Sequence, residues 1–180
     1  MHLKTEILSS NREGTARAAQ ILNAGGLVAF PTETVYGLGA DCTNPEAIDK
    51  IYKAKGRPDH NPLIIHAYNV EEASKFVHMD PKATKLADSF WPGPLTLVLE
   101  QKTSLKIEIA ERALSKLSTV GVRVPTHPIA REILRLCKSP IAAPSANISG
   151  KLSTTRFEDV LECLSGKVNA IVDGGPCPIG

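Results

Sequence analysis

The chain has 180 residues, 42% of them hydrophobic and 4% aromatic, with a formal charge of +2. That length suits one domain with a full core, built from aliphatic rather than aromatic side chains. So small a charge excludes bulk polyanion binding, and any nucleotide or nucleic-acid site must come from a local cluster.

The first eleven residues are polar and lack the apolar segment of a secretory signal. No apolar run approaches the ~20 residues of a membrane span. Cys42, Cys137, Cys163 and Cys177 form no CxxC pair, which argues against a zinc site or a disulfide framework. Reduced thiols in a cytoplasmic protein are the simplest account.

Residues 15–23 read as a short helix stopped by Gly25 and Gly26. The apolar run 27–30, ended by Pro31, has the look of a buried strand. The stretch PTETVYGLG at 31–39 follows as a loop. Its threonines and glycines offer hydroxyls and close backbone approach to a small ligand, or else form a structural turn. Asn44, Pro45 and Glu46 mark a helix start, and Ala47, Ile48, Ile51 and Tyr52 form its apolar stripe.

Where that helix ends, Lys53, Lys55 and Arg57 fall within five residues. Lys55 and Arg57 flank Gly56, so the backbone can bend and bring both heads together. A point charge beside a planar fork of donors suits polyphosphate. The alternative is a basic helix C-terminus complementing the macrodipole. Residues 63–66 read as a strand ending in His66, and 70–77 as a helix.

Residues 81–90 form another helical pattern, broken by Trp91-Pro92-Gly93-Pro94, and 95–99 a strand. The segment 105–118 is helical by content but has no strong cap. Residues 119–124 alternate β-branched side chains with Gly121 and Arg123, a strand with one polar side. An arginine there needs a partner or a ligand, and a carboxylate or phosphate would satisfy it bidentately. A surface-facing edge arginine is the other reading. Residues 127–137 are a helix, 141–143 a short strand, 154–164 a helix starting at Ser153 or Thr154, and 169–172 a last strand. Between them, Ser145 and Asn147 can face one way from a tight loop. They can orient a phosphate or a base but are poor acids and bases. Alternating strands and helices indicate an α/β domain with helices on a mixed sheet.

Taken together, PTETVYGLG, KAKGRPDHNPLIIH (53–66), FWPGPLTLVL (90–99), TVGVRVPTHP (119–128) and APSANISG (143–150) resemble the YrdC-like family of L-threonylcarbamoyladenylate synthases. The resemblance runs from about Gly25 to the C-terminus. It implies a twisted α/β sheet with a concave basic face. It also implies an enzyme, a nucleotidyltransferase, that joins L-threonine, bicarbonate and ATP into threonylcarbamoyl-AMP with release of pyrophosphate. The product would feed the N6-threonylcarbamoyl modification of adenosine 37 in tRNA, through a partner transferase complex.

By that resemblance Lys55 and Arg57 are the catalytic cations. Lys55, Arg57, Asn61, Thr119, Ser145, Asn147 and Ser153 lie at the ATP. Thr32, Thr34, His66, Arg123 and the backbone at Ala143 lie around the threonine. Mg²⁺ would be held mainly by the phosphates, with no dedicated protein metal site. The implied chemistry is capture of CO₂ or bicarbonate by the threonine amine, then attack of the new carboxylate on the α-phosphate.

Family members normally continue beyond GGPCPIG (174–180) with a Ser-Thr strand that closes the site over threonine. Many carry a second domain. Residues 1–180 therefore read as a single domain lacking both. Two other readings compete. One is a module that binds tRNA or double-stranded RNA without chemistry. The other is a carbamoyl-transfer domain like that of hydrogenase maturation proteins.

Overall fold

The computed structural model describes residues 3–102 and 107–180. In chain order the elements are β1 (Glu6–Ser9), α1 (Arg12–Asn23), β2 (Val28–Pro31), β3 (Tyr36–Asp41), α2 (Pro45–Lys55), β4 (Ile65–His66), α3 (Val70–Ala73), α4 (Pro81–Phe90), β5 (Leu97–Glu100), α5 (Glu111–Leu114), β6 (Thr119–Arg123), α6 (Pro128–Leu136), β7 (Ile141–Ala142), α7 (Phe157–Leu164) and β8 (Ala170–Asp173). The strands form one sheet in the order β1-β8-β2-β3-β7-β4-β6-β5. It is mixed: β1, β8 and β2 run parallel, as do β4 and β6, and the other pairs are antiparallel. The α/β expectation holds.

Strand alternation decides which residues reach which side. Ala29 of β2, Tyr36, Leu38 and Ala40 of β3, Ala142 of β7, Ile65 of β4, and Val120 and Val122 of β6 enter one core. That core runs from β8 to β5 and includes the apolar stripe of α2 (Ala47, Ile48, Ile51, Tyr52). On the opposite face, Val28 and Phe30 of β2, Ile141 of β7 and Val172 of β8 pack against α1 and α6. Those two helices stop short of β4, β6 and β5. There Val98 is 69% exposed and Ile64 36%. This half-covered face holds the candidate site.

Local signals account for most helices. Asn44 caps α2 through its side chain to Ala47 N, Pro45 opens it, and Gly56 ends it in the left-handed region at φ 60°. Asp80 and His127 cap α4 and α6, each followed by proline.

Several expectations need correction. The loop reading of 31–39 is too long: β3 begins at Tyr36, and only 32–35 form the turn of a β2–β3 hairpin. The glycines belong to that strand's alternation. A Cβ at Gly39 would come within 2.6 Å of the Phe30 ring. The polar N-terminus contains β1, paired in parallel with β8. Helix α1 starts earlier, at Arg12, because Asn11 caps it by accepting from Gly14 N. Helix α7 starts later, at Phe157, and Thr154 is instead tied by its carbonyl to Tyr36 N. Helix α3 covers only the first half of 70–77. Of the ambiguous segment 105–118, residues 105 and 106 lie outside the described residues, and α5 is its helical part.

Candidate active site

The turn between β2 and β3 is organised by hydroxyls. Thr32 Oγ1 donates to Val35 O at 2.7 Å and accepts from the amides of Thr34 and Val35. Its only proton is thereby used. The 3.1 Å contact between the two threonine hydroxyls must then run from Thr34 to Thr32. Thr34 Oγ1 in turn accepts from Arg123 Nη1 at 3.0 Å. Donor direction is thus fixed along Arg123, Thr34, Thr32 and Val35.

Arg123 comes from β6, on the face opposite Val120 and Val122. It is 8% exposed and stands 2.6 Å through Nη2 from Oε1 of Glu33, which is 2% exposed. Glu33 Oε2 also accepts from Thr126 N. Burial alone would raise the Glu33 carboxyl, but the adjoining Arg123 guanidinium outweighs it and holds the group below the usual range. The contact is an ion pair without hydrogen-bond alignment. Arg123 Nε and Nη2 both lack a hydrogen-bond partner among the described residues.

His66 of β4 is paired in register with Arg123. It is 3% exposed, and burial, then the charge of Arg123, push its pKa down to about 4. At neutral pH the imidazole is uncharged.

Thr32, Val35, Gly37, Arg57, Pro62, Ile64, His66, Arg123, Ala143, Pro144 and Ser145 enclose a cavity of about 300 Å³. Gly37 matters to its floor, since a Cβ there would sit 3.3 Å from that of Ala143. Larger hollows of about 460 and 680 Å³ lie elsewhere, around Arg112 and around Lys50, and neither includes Arg123 or His66.

Lys55 and Arg57 take different partners. Lys55 turns inward and is 1% exposed. Its ammonium donates to Ser145 O and Asn147 O, each at 2.5 Å, while Ser149 N donates back to Lys55 O. Burial, then the charge of Arg57, lower its pKa to about 8. Arg57 remains on the cavity wall, its guanidinium donating to Asn61 O at 3.2 Å and Pro62 O at 3.0 Å. Gly56 separates the two because α2 ends there, so successive side chains leave in different directions.

Six of the residues named from the sequence (Thr32, Arg57, His66, Arg123, Ala143 and Ser145) therefore share one cavity, and Thr34 joins it through Arg123. Asn61 contributes its carbonyl to Arg57. Thr119 lies two pleats from Arg123 on the same side of β6, with side-chain-free Gly121 between them. Asn147 donates to Ile148 O and Lys151 O, and its buried Oδ1 has no partner among the described residues. Ser153 is exposed. Among the described residues no three His, Cys, Asp or Glu side chains stand together to hold a metal ion. No helix among them is long and apolar enough to cross a membrane.

One participant is not among the residues named from the sequence. Glu33 had a visible signal, an acid inside the threonine turn, but its partner Arg123 lies far along the chain.

Residues 20–180 match the family model Sua5/YciO/YrdC, described as "Telomere recombination". The threonylcarbamoyl-AMP synthase of Bacillus subtilis is 48% identical over 177 residues, covering 98% of this chain and 50% of that protein. That of Pyrococcus abyssi is 50% identical over 165 residues, covering 91% and 47%. The crystal structure of P. abyssi Sua5 complexed with L-threonine superposes with a TM-score of 0.92 at 45% identity, over 98% of this chain and 52% of that one. E. coli YciO, at 23% identity and TM-score 0.84, shares the fold over 97% of this chain and 85% of its own. The chain thus spans about half the length of the first three. With the family model matching most of its length and the same sheet found in these structures, the chain belongs to the Sua5/YciO/YrdC family.

Proposed function

We propose that the chain forms L-threonylcarbamoyl-AMP and pyrophosphate from L-threonine, bicarbonate and ATP, as a nucleotidyltransferase supplying the t6A37 modification of tRNA. The observation that carries this reading is the single cavity that brings Arg123 and neutral His66 together with Thr32, Arg57, Ala143 and Ser145, with Thr34 accepting from Arg123. Its support from relatives is the printed name threonylcarbamoyl-AMP synthase and the threonine-bound structure of P. abyssi Sua5.

Arg123 takes the threonine carboxylate. A cavity of about 300 Å³ is at the small end of ligand pockets and suits an amino acid. A nucleotide must therefore extend beyond it, over the uncovered sheet face at Gly121 and Thr119. Arg57, also on the cavity wall, meets the phosphates and stabilises the charge that develops as pyrophosphate leaves. Lys55 acts through the loop it grips, setting Ser145 and Asn147. No side chain in the cavity is placed as a strong acid or base at neutral pH, so positioning and electrostatics supply the rate. Mg²⁺ would arrive on the phosphates, neutralising their charge. The product passes to a threonylcarbamoyl-transferase complex in the cytoplasm.

The test is pyrophosphate release from ATP by this chain, with L-threonine and bicarbonate each omitted in turn. Release that requires both is expected. Release independent of threonine would overturn the reading, as would none despite bound ATP and threonine.

A further inference from the structure

Behind the turn that carries Arg57 stands a polar network that the proposed chemistry leaves unexplained. The Tyr52 ring is 2% exposed on α2. Its one hydroxyl proton is nevertheless shared between carbonyls on two separate segments, Asn61 O at 2.9 Å and Arg112 O at 3.0 Å. The Asn61 carbonyl is also the acceptor for Arg57 Nε. A single oxygen therefore joins the tyrosine hydroxyl to the guanidinium. The backbone repeats the link, with Arg57 N donating to Tyr52 O at 3.0 Å.

Helix α5 braces this from outside. The Arg112 guanidinium lies 4.6 Å from the centre of the Tyr52 ring. It also bridges Asp49 of α2 at 2.7 Å and Asp59 of the turn at 2.5 Å. Ser115 Oγ donates to Asp59 O, and Leu63 N donates to Ala113 O. The turn is thus tied at Asp59, Asn61 and Leu63.

Packing alone does not require this hydroxyl. Phenylalanine would fill the same volume in the core without a polar atom to satisfy. The hydroxyl instead fixes the orientation of a carbonyl, and that carbonyl fixes one edge of a long, otherwise mobile side chain. We propose that Tyr52 is a positioning residue for Arg57, presetting its guanidinium through Asn61 O, with Arg112 as the brace. The consequence for ATP rests on the reading that Arg57 meets the phosphates; the orientation of Arg57 does not.

Tyr52→Phe, with Arg57→Ala alongside, tests this in the full chain. The primary readout is hydrogen exchange at Arg57 Nε–H by NMR, which a general loosening of the core does not select. Tyr52→Phe should speed that exchange while other arginine Nε–H signals stay put. It should also raise the KM for ATP about fivefold and leave the KM for threonine unchanged. Unchanged Arg57 exchange overturns the proposal, and so does an equal rise in both KM values. If Arg57→Ala leaves ATP binding unaltered, the phosphate assignment fails, and the exchange measurement still decides the positioning. Should Tyr52→Phe not fold, Arg112→Gln is read by the same exchange, with faster exchange expected and no change overturning the proposal.

Discussion

Arg123 and Arg57 face the same cavity and are held in opposite ways. Arg123 is buried against a carboxylate, Glu33, so the pair carries no net charge. Among the described residues, Arg57 is held by main-chain carbonyls alone, which fix its direction and leave its charge whole. An end with no net charge suits a zwitterionic ligand such as an amino acid. An end with full positive charge suits a polyanion. Two residues of the same type are thus made different by what orients them.

The largest break in this contrast should come from Arg123→Ala. It leaves Glu33 charged, buried and unpaired, a loss of about 3–5 kcal/mol. Thermal unfolding should fall by roughly 10 °C, and the threonine requirement should rise far more than that for ATP. Next is acid sensitivity. His66 is neutral in the fold, with a pKa near 4, against 6.5 when unfolded. Its stabilising contribution is complete above 6.5 and drains away as pH falls towards 4, by about 3 kcal/mol. Denaturant titrations across that window should show the slope, and His66→Asn should flatten it. What remains in the variant should begin below about 4.5, where Glu33, held low in the fold, contributes in the same direction.

Arg57→Ala should behave in the opposite manner to Arg123→Ala. The KM for ATP should rise about 10- to 100-fold, with little change in unfolding temperature because no buried partner is abandoned. Steady-state kinetics beside a melting curve separate the two. The smallest effect belongs to Thr34→Val, which removes one acceptor from Arg123. About a three- to tenfold rise in the threonine KM is expected; a shift in the ATP KM instead would contradict the two-ended arrangement.

What could be read from the sequence was whatever depends on neighbours. The alternation of Val120, Val122 and Val124 with Gly121 and Arg123 announced both the strand and its polar side. Asn44-Pro45 announced the start of α2. The fold hid itself where the pairing is distant. Strand β1 has four residues with Ile7 51% exposed, and only its register with β8 makes it a strand. Strand β3 looked like a loop because Gly37 and Gly39 resemble turn residues, although Tyr36, Leu38 and Ala40 keep a period of two. The site divides in the same way. Threonines, arginines and the histidine stood in recognisable motifs. The inward turn of Lys55 followed from the Ser145–Asn147 carbonyls about 90 residues away, which no local pattern encodes.

Strand β8 lies between β1 and β2 in the sheet. It follows the other described strands in the chain, yet it fills the gap between the first two. Until residues 170–173 emerge, β1 lacks this partner and β2 has one bare edge, so this part of the sheet cannot close before then. Pairings of such long sequence separation slow folding and expose unpaired backbone meanwhile. The nascent chain should therefore keep residues 6–9 protease-sensitive until residues 170–173 have emerged, and then lose that sensitivity in one step.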